Sequence, residues 1–282
     1  MCILFIYRFP DAGPECYKFI VATNRDENLT RPSKEAHIWD KHSDCLGGMD
    51  MEPGKEGGTW LALSTKGKAG ITLNLTNEPR NSDLLPKGRG SLITDYITSD
   101  ESASSYLNNL HKINQSSQLY NPYNLILLDL INTNVYYLCS SIKSVGPLLC
   151  KDNILAFGNS DIEHPFKKVE EGKKIFANII KTASVKHQDS LIESLIQFLK
   201  SKESFLPDAE LQRRLPTVFK ELSSIFVSCP DYGTRTHSIL LIDGKNRLTF
   251  VEETRMLDLS WKRQDFNTIL TNDSFNFVKK IS

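Results

Sequence analysis

The order of short apolar segments constrains the fold of this chain more than any other feature of its sequence. Each segment is bounded by turn residues, and its apolar residues follow one another or alternate with polar ones, as is typical of β-strands. The predicted strands cover residues 2–7, 17–23, 59–64, 69–75, 123–130, 134–140, 153–160, 224–230, 237–244 and 246–254.

Helical periodicity separates these strands into three groups. Apolar residues recur at helical spacing within 88–118, within 164–183 and again within 189–200. The order is therefore strands, helices, strands, helices and strands, without the βαβ alternation of a doubly wound parallel sheet. Continuous apolar runs such as 125–128 predict strands that are covered on both faces. The chain is predicted to form an α+β fold, an αββα sandwich of two stacked antiparallel sheets between helical layers, in one domain of residues 1–282.

Charge and hydropathy exclude several classes of partner. Lys plus Arg and Asp plus Glu number 34 each, and no block of like charge stands out. No nucleic-acid partner is therefore predicted on electrostatic grounds. The chain lacks the basic start and long apolar run of a secretory peptide, and no segment approaches the roughly 18 apolar residues of a membrane span. The sequence predicts a cytoplasmic protein without a transmembrane segment and leaves a mitochondrial pool open.

Cysteine, histidine and glycine patterns indicate no metal or nucleotide site. The six cysteines are far apart and form no C-x-x-C pair, as expected of free thiols in a reducing compartment. The six histidines have no metal-ligand spacing. The glycine-rich segments 54–60 and 87–91 match neither a P-loop nor a dinucleotide-binding fingerprint. No cofactor is therefore expected to be required.

Cys2 is the first candidate for chemistry. Removal of Met1 would leave a chain whose first residue carries both a thiol and a free α-amine. An α-amine titrates near about 8 and a thiol near about 8.5, so the amine can act as a base for the neighbouring nucleophile at neutral pH. The alternative is that Cys2 is a small apolar residue at the start of a strand, which the dipeptide alone favours.

The segment 24–27 is the second candidate, because it places charged residues directly after the predicted strand 17–23. A short turn would pair that strand with the first one and bring the segment close to Cys2. Arg25 beside a thiol would favour the thiolate, and Asp26 could hold an α-ammonium group or orient an amine. The alternative is a solvated strand end with an aspartate cap.

Polar residues at other strand ends could complete such a site. Asn74 and Asn159 could form an oxyanion hole with backbone amides, and Arg235 could fix a carboxylate or the charge of the nucleophile. Each residue type is also common in turns, so each has a structural alternative. Cys229 precedes Pro230, a dipeptide sometimes found where a thiolate ligates haem iron, and it is a weak haem-ligand candidate.

Several motifs resemble those of one protein family. The chain begins Met-Cys-Ile and continues with NRDE at 24–27, RPSK at 31–34, GKEGGTWLALS at 54–64, GRG at 88–90 and CPDYGTRT at 229–236. In this order the motifs resemble the NRDE family, and the resemblance runs from the first residues to about residue 253. Motifs of this length in register are far more specific than a single glycine pattern.

The resemblance implies an N-terminal-nucleophile hydrolase-like fold, which is the same αββα sandwich. Cysteine hydrolases of that superfamily use an N-terminal cysteine, an arginine and an aspartate at the end of the second strand, two asparagines and a later arginine. Their matches in this sequence are Cys2, Arg25, Asp26, Asn74, Asn159 and Arg235. The usual Arg-x-x-Asp spacing is replaced here by adjacent residues, so Glu27 could share the role of Asp26.

For function, the resemblance implies haem handling, in which haem moves from haem-rich compartments to haem-accepting proteins. It also implies roles in Golgi and secretory organisation and in mitochondrial lipid homeostasis. Haem or another small hydrophobic ligand would be cargo, with transient contact to organelle membranes and a mitochondrial or Golgi-associated pool. Two alternatives stay open: a cysteine N-terminal-nucleophile amidohydrolase, and a protein that binds acyl-lipid or acyl-CoA without catalysis.

Overall fold

The computed structural model describes residues 1–80, 85–141, 143–270 and 277–279. The strands are β1 Ile3–Arg8, β2 Tyr17–Asn28, β3 Ser33–Trp39, β4 His42–Asp50, β5 Leu61–Ser64, β6 Lys68–Asn74, β7 Tyr123–Asp129, β8 Asn134–Cys139, β9 Leu148–Cys150, β10 Ile154–Phe157, β11 Tyr232–Asp243, β12 Arg247–Arg255, β13 Trp261–Ile269 and β14 Val278–Lys279. The α-helices are α1 Ser91–Thr98, α2 Ala103–Ser116, α3 Lys167–Ile180, α4 Gln188–Leu199 and α5 Ala209–Arg214, and Val185–His187 form a short 3₁₀ turn.

Contacts between residues divide the chain into two compact units. The first contains Met1–Arg31, Asp152–Ile269 and β14, and the second contains Pro32–Lys151. Each unit has one antiparallel sheet, with the strand order β10-β1-β2-β11-β12-β13-β14 in the first and β3 to β9 in chain order in the second. The predicted α+β class with two antiparallel sheets is confirmed. The assignment of residues 1–282 to one domain stays a prediction.

In the first unit, helices α3 and α4 pack on one face of the sheet. Successive side chains of a strand point to opposite faces, so alternate residues such as Phe5 and Ile239 enter the core beneath the helices. There they join Phe176 of α3 and Leu195 of α4. Helix α3 approaches the sheet closely at Gly172, where an added Cβ would lie 2.5 Å from the ring of Phe5. This close approach holds the start of α3 beside the start of β1.

In the second unit, helices α1 and α2 pack on the sheet and form a separate core. Tyr96 of α1, Leu107 of α2 and Tyr123 of β7 are buried there. The hydroxyl of Tyr123 accepts a hydrogen bond from Nδ2 of Asn114 at 2.9 Å, as buried polar groups require. No helix in the described ranges is long and apolar enough to cross a membrane.

Strand β2 is longer than the sequence predicted. The predicted strand ended at Thr23, but the backbone of β2 continues to pair with β11 as far as Asn28. Residues 24–27 therefore lie within a central strand, and the prediction that they follow it is wrong. Asn24, Arg25 and Asp26 are buried, so the alternative of a solvated strand end is also wrong for these three residues.

The predicted strand 224–230 is also wrong. This segment forms only isolated bridges, at Ser224 and Ser228, within the part of the chain that the structure describes. Its apolar residues Ile225 and Val227 are buried in the core of the first unit. The apolar pattern therefore marked burial, while the backbone of the segment bonds to side chains of neighbouring elements.

Candidate functional site around the N-terminus

The first residue of the chain is bound inside the first unit. The side chain of Met1 packs in the core with 4% of its surface exposed. Its α-ammonium group donates hydrogen bonds to Oδ2 of Asp26 at 2.6 Å and to the hydroxyl of Tyr232 at 2.7 Å. Burial lowers the pKa of this ammonium group, and the charge of Asp26 opposes that effect. We call the residues that bind Met1 the Met1 seat; they are Asp26, Tyr232 and Lys168, together with Thr234, which orients Asp26.

Strand pairing fixes the carboxylate of the Met1 seat. Asp26 of β2 lies opposite Thr234 of β11. The hydroxyl of Thr234 donates to Oδ1 of Asp26 at 2.7 Å and accepts from the backbone amide of Val227 at 2.9 Å. Both carboxylate oxygens are therefore occupied, one by the hydroxyl and one by the α-ammonium group, so the orientation of Asp26 is held from both sides.

A buried lysine completes the Met1 seat. Lys168 lies in the first turn of α3 and is 1% exposed. Its Nζ donates to the carbonyl oxygen of Met1 at 3.2 Å and to that of Ser224 at 3.0 Å. Burial lowers the pKa of Lys168, while the charge of Asp26 opposes the shift. The ammonium group, carbonyl and side chain of Met1 thus each have partners supplied by distant parts of the chain.

The thiol of Cys2 contacts the backbone of Asp26 rather than its carboxylate. Its Sγ accepts a hydrogen bond from the amide of Asp26 at 3.3 Å and lies 3.6 Å from the carbonyl oxygen of the same residue. Met1 and Ile3 both enter the core beneath the helices, so Cys2 between them projects to the opposite face. Burial raises the pKa of the Cys2 thiol, and the nearby α-ammonium group only partly opposes this. Because Met1 is attached, the nitrogen of Cys2 is an amide and carries no basic lone pair.

The two predicted arginines lie on neighbouring strands. Arg25 is buried in β2, with a guanidinium nitrogen 3.7 Å from a carboxylate oxygen of Glu27. Arg235 sits at a β-bulge, where the register of β11 shifts between Thr234 and Thr236, and bulges re-aim side chains in this way. Its guanidinium group donates to the carbonyl oxygens of Asn28 and Arg31. Burial lowers the pKa of Arg235, and the charge of Arg25 adds to the shift.

The two predicted asparagines lie in different units. Asn159 is buried two residues beyond β10, whose pairing aligns Phe157 with Leu4, so the same register places Asn159 level with Cys2. Asn74 is the last residue of β6 in the second unit and is exposed. The structure therefore brings Cys2, the two arginines, Asp26 and Asn159 into the first unit, and the role of Asn74 stays a prediction.

Cys229 lies on the segment that precedes β11 and is partly exposed. Its backbone amide donates to the carbonyl oxygen of Tyr232 at 2.9 Å. Burial raises the pKa of its thiol and Glu221 raises it further, which disfavours the thiolate that ligates haem iron. No group of His, Cys, Asp and Glu among the described residues could hold a metal ion.

Beside the Met1 seat lies a buried histidine that the sequence analysis did not single out. Nδ2 of Asn24 donates to the carbonyl oxygens of Leu199 and Ile225, which leaves Oδ1 of Asn24 to accept from Nδ1 of His237 at 2.7 Å. The proton of the imidazole is therefore on Nδ1, and Nε2 carries the lone pair. Burial and the charge of Lys200 lower the pKa of His237 to about 3. Its Nε2 has no hydrogen-bond partner among the described residues.

Aromatic and basic side chains surround this imidazole. The ring of Trp261 stacks on His237 with centroids 4.6 Å apart and an angle of 11° between the planes. Phe226 lies 5.8 Å from His237 by the same measure. Nζ of Lys200 is 5.7 Å from the centre of the Trp261 ring, and Nζ of Lys202 is 5.6 Å from that of Phe226. We call these five residues the His237 cluster.

Two of the missed residues left a signal in the sequence. Lys168 falls four residues before Gly172 and eight before Phe176, on the same buried stripe of α3, so the helical period places a charge on the apolar face. Tyr232 lies within the matched motif CPDYGTRT. Neither signal predicts which group the residue binds, because both residues hydrogen-bond to Met1, which is far away in sequence.

The fold and the site define an α+β protein with two antiparallel sheets that buries its own N-terminal residue beside a cysteine and an Arg-Asp pair. The family model described as Transport and Golgi organisation 2 matches residues 1–256. This chain belongs to that family, which confirms the membership that the NRDE motifs predicted.

Relatives match along almost the whole chain. The mouse Transport and Golgi organization 2 homolog is 34% identical over 275 residues, which cover 95% of this chain and 98% of the relative. The human homolog is 34% identical over 279 residues, covering 96% and 99%. The Drosophila melanogaster Transport and Golgi organization protein 2 is 36% identical over 262 residues, covering 90% and 92%.

Two solved structures have a more distant likeness. The C2A mutant of conjugated bile acid hydrolase from Clostridium perfringens gives a TM-score of 0.46 at 9% identity, with 100% of this chain and 97% of that chain covered. The Caenorhabditis elegans ortholog of N-acylethanolamine-hydrolyzing acid amidase gives 0.47 at 10% identity, with 85% and 92% covered.

Proposed function

We propose that this protein is a carrier of a small hydrophobic ligand, with haem as its cargo, that delivers haem to acceptor proteins. The observation that carries the proposal is the buried imidazole of His237, whose Nδ1 is bonded to Asn24 and whose Nε2 has no hydrogen-bond partner among the described residues. While Met1 is attached, Cys2 has no free α-amine, and burial raises the pKa of its thiol. Both changes remove the activation that an N-terminal nucleophile needs. In the chain that keeps Met1, Cys2 and the residues around it that match those of cysteine hydrolases therefore favour binding a ligand over hydrolysing one.

The His237 cluster supports haem as the cargo. Haem iron binds a neutral imidazole nitrogen whose ring is oriented by a hydrogen bond at the other nitrogen. His237 meets this requirement through Asn24, and burial lowers its pKa to about 3, which favours the neutral ring. Nε2 of His237 is the atom that would bind iron. This residue fits the role better than Cys229, whose raised thiol pKa disfavours the thiolate.

His237 is fully buried, so haem can reach Nε2 only if neighbouring side chains move aside. Trp261 and Phe226 supply aromatic contact area next to the imidazole. Lys200 and Lys202 carry the positive charge that two propionates need. The carboxylate of Glu253 lies 2.8 Å from Nζ of Lys200, so propionate binding would exchange one ion pair for another.

The cellular role that we propose follows the names of the relatives. Proteins called Transport and Golgi organization 2 homologs match this chain over nearly its full length. We propose that this chain shares a role in Golgi and secretory organisation, works from the cytoplasm with Golgi-associated and mitochondrial pools, and affects mitochondrial lipid homeostasis. Transient contact with organelle membranes would bring it to its source of haem.

Haem titration followed by absorbance tests the proposal. We expect saturable binding of one haem, a Soret band of imidazole-ligated iron, and transfer of the haem to an apo-haem protein. His237→Gln can keep the hydrogen bond to Asn24 and removes the lone pair, so binding should weaken about tenfold or more. The exposed His187→Gln is the matched control, and thermal unfolding checks that each variant is folded.

The other outcomes of this titration are equally informative. Loss of the band in Cys229→Ala with retention in His237→Gln would move the ligand to Cys229 and refute the assignment to His237. Retention in both variants would exclude both residues as the iron ligand, and uptake that never saturates would refute specific haem binding. Saturable binding of an acyl-CoA by a chain that does not bind haem would favour the acyl-binding alternative.

The contact between Asp26 and an α-ammonium group favours a second candidate, a cysteine N-terminal-nucleophile amidohydrolase. Removal of Met1 would free the amine of Cys2 one residue away from this carboxylate. Intact-mass measurement of the isolated protein tests the first requirement, because a retained Met1 excludes this chemistry. A chain that begins at Cys2 should then hydrolyse N-acyl amides, and the same chain with Cys2→Ser should lose most of the activity. Hydrolysis by the form that keeps Met1 would contradict this candidate.

A further inference from the structure

The Met1 seat has the features of a ligand-binding site whose ligand is part of the chain. It provides a carboxylate and a hydroxyl for an ammonium group, through Asp26 and Tyr232, and an apolar slot for an unbranched side chain. Its charged members, Asp26 and Lys168, are almost completely buried. A site of this kind recognises one residue by three separate chemical groups, and one peptide bond alone makes that residue part of the protein.

The seat is built by residues that hold each other as well as Met1. The hydroxyl of Thr234 orients Asp26, and the backbone amide of Val227 orients Thr234. Lys168 also donates to the carbonyl oxygen of Ser224. None of these three contacts includes Met1, so they hold Asp26 and Lys168 in place when the residue is absent, although Lys168 loses its bond to the Met1 carbonyl oxygen.

Strand pairing prevents the new N-terminus from filling the empty seat. Cys2 is held by the hydrogen bond between Sγ and the amide of Asp26, and β1 begins at once with Ile3 opposite Asn24. Moving the amine of Cys2 into the place of the Met1 amine would require a slip of one residue, about 3.8 Å. Such a slip turns every side chain of β1 to the other face of the sheet. The vacated space therefore stays available.

We propose that the chain beginning at Cys2 contains a buried binding site for a primary alkylamine with an unbranched apolar tail. The ammonium group of the ligand binds Asp26 and Tyr232, and the tail fills the slot of the Met1 side chain. Apolar cavities made by truncation bind small molecules of matching shape, and here a buried carboxylate selects for a cation. The inference requires neither haem binding nor hydrolysis, and it shares with the hydrolase candidate only the removal of Met1.

The test uses 3-(methylthio)propylamine, which keeps the amine and side chain of methionine and lacks the carbonyl carbon that would clash with the nitrogen of Cys2. A fusion protein cut by a protease that leaves Cys2 as the first residue supplies the chain, and calorimetry measures binding. We expect one amine per chain and no binding to the form that keeps Met1. The neutral analogue butyl methyl sulfide should bind about 10- to 100-fold more weakly, the loss expected for charge-assisted hydrogen bonds.

Two variants distinguish recognition from simple filling of a cavity. In the chain that begins at Cys2, Asp26→Asn should remove the preference for the amine over the neutral sulfide. The exposed Asp231→Asn should leave that preference unchanged. No binding of the amine, equal binding of amine and sulfide, or equal binding by the form that keeps Met1 would each overturn the proposal. If the shortened chain does not fold alone, the amine should restore a cooperative thermal transition, and failure to do so would also overturn it.

Discussion

Replacing Asp26 with asparagine tests the electrostatic account of the site most directly. The carboxylate is the charged partner of a buried α-ammonium group at 2.6 Å, and its own side chain is fully buried. Removing one member of a buried ion pair typically costs about 3 to 5 kcal/mol, because the other charge is left uncompensated. The cost is smaller here, because the buried α-amine of Met1 can lose its proton and become neutral. An α-amine has an ordinary pKa of about 8, so neutralising it at pH 7 costs only about 1.4 kcal/mol.

The expected cost for Asp26→Asn at pH 7 is therefore the cost of neutralising the amine plus the lost charge-assisted hydrogen bonds, together about 3 kcal/mol. For a chain of this size that corresponds to a fall of about 5 to 10 °C in the unfolding midpoint. Chemical and thermal unfolding at several pH values provide the measurement.

The pH dependence of the free energy of unfolding of Asp26→Asn gives a more specific test. A cationic group whose folded pKa is lowered binds fewer protons in the folded state, so stability rises with pH until the unfolded pKa is passed. Burial lowers the pKa of the Met1 ammonium group and Asp26 opposes it, so Asp26→Asn lowers that pKa further. The deficit of the variant should shrink by up to about 1.4 kcal/mol per pH unit between pH 6 and 8. The exposed Asp231→Asn should show neither deficit nor pH dependence, and a deficit of Asp26→Asn that is constant with pH would refute the reasoning.

Three further outcomes follow from the same structure. Lys168→Met should lower the free energy of unfolding by about 2 to 4 kcal/mol, because two buried carbonyl oxygens lose their donor. Gly172→Ala should lower it by about 1 to 3 kcal/mol, since the new methyl group would meet the ring of Phe5 at 2.5 Å. Iodoacetamide should label exposed Cys16 well before Cys2, whose half-buried thiol has a raised pKa, as peptide mass spectrometry would measure.

Matched controls exist for each of these outcomes. The exposed Lys174→Met should cost little, because the partner of Lys174 is a surface glutamate. Gly13→Ala places a methyl group where nothing lies within 4 Å and should be nearly neutral. Equal losses for either substitution and its control would contradict the packing and hydrogen-bond arguments. Equal labelling rates for the two cysteines would contradict the lower exposure and raised pKa of the Cys2 thiol.

The sequence predicts β1, β5, β6 and β7 and the pairing that brings residues 24–27 to Cys2, but not β3 and β4, although Trp39 and Cys45 enter a core. Charged residues after an apolar run predict the end of a strand, whereas Asn24 and Asp26 are polar because they hold His237 and Met1. Local pattern reports how much of a side chain is buried. It does not report which distant group each polar atom meets.

The wrongly predicted strand 224–230 and β13, one of several strands that were not predicted, show a second limit of sequence patterns. Ile225 and Val227 are apolar because they fill the core. Their backbone groups bond to side chains: the carbonyl oxygen of Ile225 accepts from Asn24, and the amide of Val227 donates to Thr234. In β13 the buried residue Gln264 is polar and has a charged residue on each side, so the strand has a weak hydrophobic pattern. All nine residues of β13 nevertheless pair with β12. Strand pairing depends on neighbouring backbone that a single segment does not contain.

The discontinuous first unit sets an order of events during synthesis. Met1 is made long before Lys168, Tyr232 and Thr234, the residues that build its seat. At about 5 to 20 residues per second, the last of them follows after about 10 to 50 seconds. Throughout that interval Met1 has none of these partners. The Met1 seat therefore forms only after the chain has been made as far as Thr234.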